Sequence, residues 1–183
     1  MATTAVLQTA DRGRAGRVSA WPDSLSLFVF ASLPLGLFGL LHLIAEPMGL
    51  LPFFFAPFGL PNWVGASAHL TQLALIGAAY WAIVQQRPKS RSRFWIIALG
   101  AAYIALPFVT PLLDSLLLAI ICSLMFLLTI ATTLRVGRIS RLGGWLLAPM
   151  LGVVGLSSAM GLAIAAYAPP FALTQSQQAA PTT

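Results

Sequence analysis

Apolar residues fall along this chain in long unbroken blocks separated by short polar or proline-rich breaks, with neither the alternation of strands nor the one-sided stripe of surface helices. A membrane-crossing helix needs about 20 mostly apolar residues. The blocks predict five such spans, at about 24–45, 63–85, 94–110, 115–134 and 142–168. The first carries Pro34, Gly36 and Gly39, which membrane helices tolerate because neighbours re-satisfy the freed backbone groups. Thr110-Pro111-Leu112-Leu113-Asp114 predicts a tight turn, since proline disfavours helix in the residue before it and Asp114 can cap a helix that starts at Ser115. Pro169-Pro170 ends the fifth span. The fold class is therefore all-α, a polytopic membrane protein built as a five-transmembrane-helix bundle.

One break does not look like an ordinary loop. Residues 46–62 read EPMGLLPFFFAPFGLPN, with prolines at 47, 52, 57 and 61 that forbid a continuous helix. Its phenylalanines make it too apolar for water. Two roles stay open: an aromatic connection that lids a cavity between the helices, and a plain interfacial anchor.

The positive charges give an independent check on the number of spans. All ten Lys and Arg lie in three clusters: Arg12, Arg14 and Arg17; Arg87, Lys89, Arg91 and Arg93; Arg135, Arg138 and Arg141. With five spans every cluster falls on one side, which the positive-inside rule makes the cytoplasm. The expected topology has a cytoplasmic N-terminus and an outer C-terminus. Six spans, with the proline-rich segment crossing once, break this segregation. The tails, 1–23 and 169–183, are polar and rich in small residues and are expected to be disordered.

Composition excludes several classes. The chain of 183 residues is 58% hydrophobic and 8% charged, more apolar surface than a soluble domain of this size can bury. The net charge of +6 does not indicate nucleic acid, because the basic residues form no face with interleaved aromatics. The one cysteine, Cys122, rules out an internal disulfide and a cysteine-rich metal site.

Polar residues inside the spans are the candidate chemistry. His42 and Glu46 stand one turn apart at the outer end of the first span and share a face. His69 lies deeper in the second, with Gln72 on the same face, positioned to meet His42. Such groups in hydrocarbon turn toward the bundle interior or a cavity. They serve either as interhelical hydrogen bonds worth about 1 kcal/mol or as the polar contacts of a ligand pocket; a histidine could also ligate the metal of a haem or chlorophyll-type pigment. Two histidines and four carboxylates at scattered depths make no zinc or di-iron site. Ser157-Ser158 has no base nearby in sequence, and no phosphate-cradling loop is present, so residue support for an enzyme is thin. In the fifth span Gly152, Gly155 and Gly161 favour close helix contact, within one bundle or in a dimer, while Gly137 and Gly143-Gly144 are expected to shape the preceding turn.

Three stretches carry a resemblance. Pro61-Asn62-Trp63-Val64 resembles the P-x-W-V start of the second helix in the TspO/MBR family, the tryptophan-rich sensory proteins that include the mitochondrial translocator protein. LIGAAYW at 75–81 resembles that family's LMGIAAY at the same spacing from the tryptophan, and LLAPMLGVVGLSSAMGLA at 146–163 resembles its fifth-helix LLVPYLAWVSFAAALNYA. The chain departs from the family where a helix-two tryptophan falls on His69, and where the tyrosine, tryptophan and asparagine of helix five fall on Met150, Val153 and Gly161.

The resemblance implies a five-helix bundle, commonly dimeric, with an outer cavity lidded by the first connection and open to flat apolar ligands such as porphyrins or sterols. The family's pocket positions carry over to Trp63, His69 and Pro149. Together with Gln72, His42 and Glu46 they form the candidate ligand-binding set. The functional expectation is a receptor or carrier in the lipid bilayer for a hydrophobic small molecule, with a tetrapyrrole (haem, protoporphyrin or chlorophyll-type) as the cofactor-like ligand. The alternatives are an accessory, pigment-binding subunit of a larger membrane complex and, with His42 and Glu46 as its acid-base pair, a membrane enzyme acting on a lipid or isoprenoid.

Overall fold

The computed structural model describes residues 23–56, 60–87 and 90–167. Residues 1–22 and 169–183 of the expected tails, with Pro169-Pro170, and also Pro57 and Lys89, lie outside them, whereas Asp23 is described and helical. Among the described residues all regular structure is helical: α1 (Asp23–Ala45), α2 (Asn62–Gln86), α3 (Ser92–Val109), α4 (Ser115–Gly137) and α5 (Arg141–Tyr167). All five are long and apolar enough to cross a membrane, and the protein is an integral, multi-pass membrane protein.

The punctuation residues set the helix ends. α1 continues into a single 3-10 turn, Glu46–Met48, and stops at Gly49, whose φ of 75° few other residues adopt cheaply. The Leu50 amide donates to the Ala45 carbonyl at 3.1 Å and the Gly49 amide to the Glu46 carbonyl at 3.0 Å, the paired bonds of a Schellman ending. α3 likewise tightens into Thr110–Leu112 before Asp114, whose carboxylate accepts from the Leu117 amide at 2.8 Å and caps α4. α4 runs on past Leu134 to Gly137, and the Arg135 guanidinium lies 3.8 Å from the centre of the Trp95 ring of α3, so the charge is held on an aromatic face at the helix end.

Helices α2, α5, α4 and α3 close a four-membered ring, and α1 flanks it against α2 and α3. α2 is the most buried span and α1 the least. Where helices meet, small residues let them approach, as expected when lipid supplies no hydrophobic drive between them. A Cβ added at Gly77 of α2 would collide with the Phe30 carbonyl oxygen of α1. That carbonyl lacks its ordinary helical donor four residues on, because the residue there is Pro34. A Cβ at Gly144 would lie 2.9 Å from the Gly137 Cα, and Gly143 sits against Val136. The Gly143-Gly144 pair thus lies inside the first turn of α5 and sets the α4–α5 approach, rather than shaping a loop. Gly155 and Gly161 face Phe126 and Ala119 of α4, whereas Gly152 meets nothing within 4 Å.

Polar pins add to this packing. Trp81 Nε1 donates to Ser26 Oγ at 2.9 Å between α2 and α1. Gln86 Nε2 donates to the fully buried Ser140 Oγ at 3.1 Å, and the same oxygen accepts the Gly143 amide at 3.2 Å, tying α2 to the start of α5. Ser123 and Ser158 hydroxyls lie 3.2 Å apart across α4 and α5.

Candidate functional site

The helix ring encloses a cavity of about 410 Å³ at the end where α2 and α4 begin and α3 and α5 finish. Phe53 to Ala56 of the first connection form one wall. Two sequence features bring this segment down onto the bundle. Pro111 has no amide hydrogen, so the Pro107 carbonyl four residues earlier has no helical donor; the Phe53 amide donates to it instead, at 2.8 Å. Gly65 in the second turn of α2 then lets the connection approach, since a Cβ there would stand 2.6 Å from the Phe55 carbonyl oxygen.

His69 is the polar residue at the centre of an aromatic cluster beside the cavity. It is 7% exposed and lines the cavity. Its ring stacks on Tyr103 with centroids 4.3 Å apart and planes 15° apart, and meets Phe38 at 5.5 Å and Phe54 at 5.6 Å. The Nε2 atom is buried and has no hydrogen-bond partner, a state that costs free energy unless something supplies one. Gln72, 4% exposed, accepts the Tyr103 hydroxyl on Oε1. The two buried polar residues of α2, His69 and Gln72, therefore both engage Tyr103 of α3, one by its face and one by its hydroxyl.

The other sequence candidates stand elsewhere. His42 packs on Phe108 with centroids 6.4 Å apart, and Phe108 is 5.5 Å from Phe38, so aromatic rings lie between the neighbourhoods of the two histidines. His42 Nδ1 is also buried without a partner. Glu46 is exposed in the 3-10 turn that follows α1. Trp63 is 70% exposed on the first turn of α2, and Pro149 is exposed on α5; neither lines the cavity. The cavity is completed by residues that sequence reasoning had not grouped: Tyr103 and Thr110 of α3, Cys122 and Met125 of α4, and Ser157 and Gly161 of α5. Tyr103 carried a signal, since a lone tyrosine in an apolar span needs a hydroxyl partner in the bundle.

No group of three or more potential metal ligands occurs among the described residues. For a haem, the unpartnered Nε2 of His69 is a chemically suited axial ligand, while the cluster of Phe38, Phe54 and Tyr103 packed round the ring leaves the site as built apolar and aromatic. A second, wider groove of about 640 Å³ runs between α1, α2 and α3, floored by Gly77 and Gly100 and walled by apolar side chains including Leu33, Leu37 and Ile97.

No curated protein matches the chain in sequence. The family model described as TspO/MBR family matches residues 53–167, from the cavity wall in the first connection to the end of α5. That match covers all four helices of the ring and more than half of the sequence, and it agrees with the five-span architecture; the chain belongs to the TspO/MBR family.

Proposed function

We propose that the protein is a TspO-like membrane receptor or carrier that binds a flat hydrophobic molecule, tetrapyrrole or sterol-like, in the cavity at the outer end of the bundle. The observation that carries this reading is the cavity walled by the Phe53–Ala56 segment, with the unpartnered Nε2 of His69 beside it. Aromatic rings from three elements supply flat contact, and a few polar atoms supply orientation, the usual make-up of a small-molecule site. His69 and the Gln72–Tyr103 pair are its polar contacts, and Trp63 anchors α2 at the interface. The charge pattern supports a cytoplasmic N-terminus and an outer C-terminus.

The test is fluorescence or absorbance titration of the purified protein with protoporphyrin, haem and cholesterol. Saturable binding of at least one, weakened in His69→Ala, is the expected result. No saturable binding of any, or affinities unchanged by His69→Ala, would overturn the assignment.

A second reading is favoured by the apolar groove between α1, α2 and α3, a face of the kind on which a neighbouring membrane helix packs. As an accessory subunit of a larger membrane complex, the protein would copurify in fixed stoichiometry from mild detergent and bind little ligand alone.

A further inference from the structure

We infer that the outer cavity discriminates against carboxylate-bearing ligands and takes an uncharged flat molecule whose polar end donates a hydrogen bond, a hydroxyl above all. This rests on the reading of the cavity as a ligand site and narrows the chemistry that site accepts.

Charge carries the first part. The Lys and Arg residues are confined to positions 12–17, 87–93 and 135–141. The described ones stand at the α2–α3 and α4–α5 turns, whereas the cavity is lined by the opposite ends of those helices. Among the described residues, the charged side chains at the cavity end are both acids: Glu46 after α1 and Asp114 at the start of α4, one turn from the cavity residue Leu118. Helix dipoles do not reverse this. Three helices, α1, α3 and α5, turn their negative C-terminal ends this way. Of the two N-termini, that of α4 is already occupied by the Asp114 carboxylate, and that of α2, which has no side-chain cap, is the one positive helix end that faces an anion here. Among the described residues, a carboxylate placed here would meet no cationic side chain, in surroundings where an uncompensated charge is costly.

Hydrogen-bond direction carries the second part. Thr110 Oγ1 donates to the Leu106 carbonyl at 2.7 Å, Ser157 Oγ to the Val153 carbonyl at 2.9 Å, and the Tyr103 hydroxyl to Gln72. Each hydroxyl hydrogen in the lining is thus committed within the protein, and what remains on those oxygens are acceptor lone pairs. An ionised carboxylate only accepts, so it mismatches these three hydroxyls and is left with the Asn62 amide and the His69 ring as side-chain donors in the lining. A ligand hydroxyl donates to them.

Matched pairs test this. Protoporphyrin and its dimethyl ester share a ring but differ in charge, as do cholesterol and cholesteryl sulfate. Binding of all four is measured at neutral pH with the full-length protein in zwitterionic phosphatidylcholine nanodiscs, with Thr110→Lys as a variant that places a cation at the cavity wall. In each pair that binds, the uncharged member is expected to bind at least about tenfold tighter, a difference of about 1.4 kcal/mol, and Thr110→Lys is expected to narrow or reverse that preference. Equal or tighter binding of the charged members overturns the inference while leaving the ligand-site reading intact. If none of the four binds saturably, both fall.

Discussion

The amide of Phe53 donates to the carbonyl of Pro107 at 2.8 Å. The bond joins the first connection to the end of α3, and it exists because Pro111 leaves that carbonyl without its helical donor. Pro111→Ala restores a competing N–H inside the helix. The expected outcome is faster hydrogen exchange at Phe53 and its neighbours, with faster ligand association and release; unchanged protection at Phe53 would show that the wall is held by other contacts.

Gly65 and Gly77 allow backbone to approach backbone, and the two should fail differently. Gly77→Val forces α2 away from the Phe30 carbonyl and is expected to cost at least about 2 kcal/mol of stability, by the overpacking cost of a tight contact. Gly65→Val strikes the Phe55 carbonyl of the connection and should displace the wall with a smaller fall in Tm. Gly152→Ala, with open space around it, is the control and should stay within about 0.5 kcal/mol of the parent. Thermal unfolding in one detergent compares all three.

Tyr103 and Gln72 form a buried polar pair, so removing one partner strands the other. Tyr103→Phe or Gln72→Leu should each destabilise by about 1 kcal/mol, and the double variant by less than the two together. Full additivity in this cycle would mean that the hydroxyl and the amide are not coupled.

Ligand affinity should separate two residues of α2 that the sequence places in one motif-bearing stretch. His69→Ala is expected to weaken binding at least about tenfold, a loss of about 1.4 kcal/mol, while Trp63→Ala, at a position 70% exposed, should leave it near the parent value. A loss confined to Trp63→Ala would move the site toward the interface.

Orientation is open to labelling. In a Cys122→Ser background, Met48→Cys at the end of α1 should react with a membrane-impermeant maleimide added to intact cells, and Arg138→Cys only after permeabilisation. The opposite pattern would invert the topology.

The bundle was legible because its signals are local. Blocks of apolar residues give the spans, and the prolines of 46–62, Asp114 and the arginine clusters mark where they stop and start. His69 and Gln72 could be singled out because a polar residue in an apolar block is conspicuous. Their partner could not: Tyr103 lies 31 residues beyond Gln72, and nothing in α2 encodes which face of α3 it meets. The wall of the cavity was hidden for another reason. Its anchor is a missing donor, at Pro111, seen only once the Phe53 amide is found beside the carbonyl it leaves free. Trp63 illustrates the converse, a motif residue whose prominence in sequence comes with a side chain facing out of the helix ring.

The grouping of Lys and Arg into three sequence clusters also bears on how the chain enters its membrane. The connection after α1 and the turn before α4 carry a single carboxylate each and no cation. In the topology proposed above, with the basic segments cytoplasmic, α1–α2 and α3–α4 can each cross as a hairpin without dragging an arginine through hydrocarbon, where one costs about 2.5–3.5 kcal/mol on insertion scales. Only α5 must then cross alone. The polarity that leaves the cavity mouth without a cation is thus the same polarity that makes the protein easy to insert, and an arginine added there to capture an acidic ligand would burden its biogenesis.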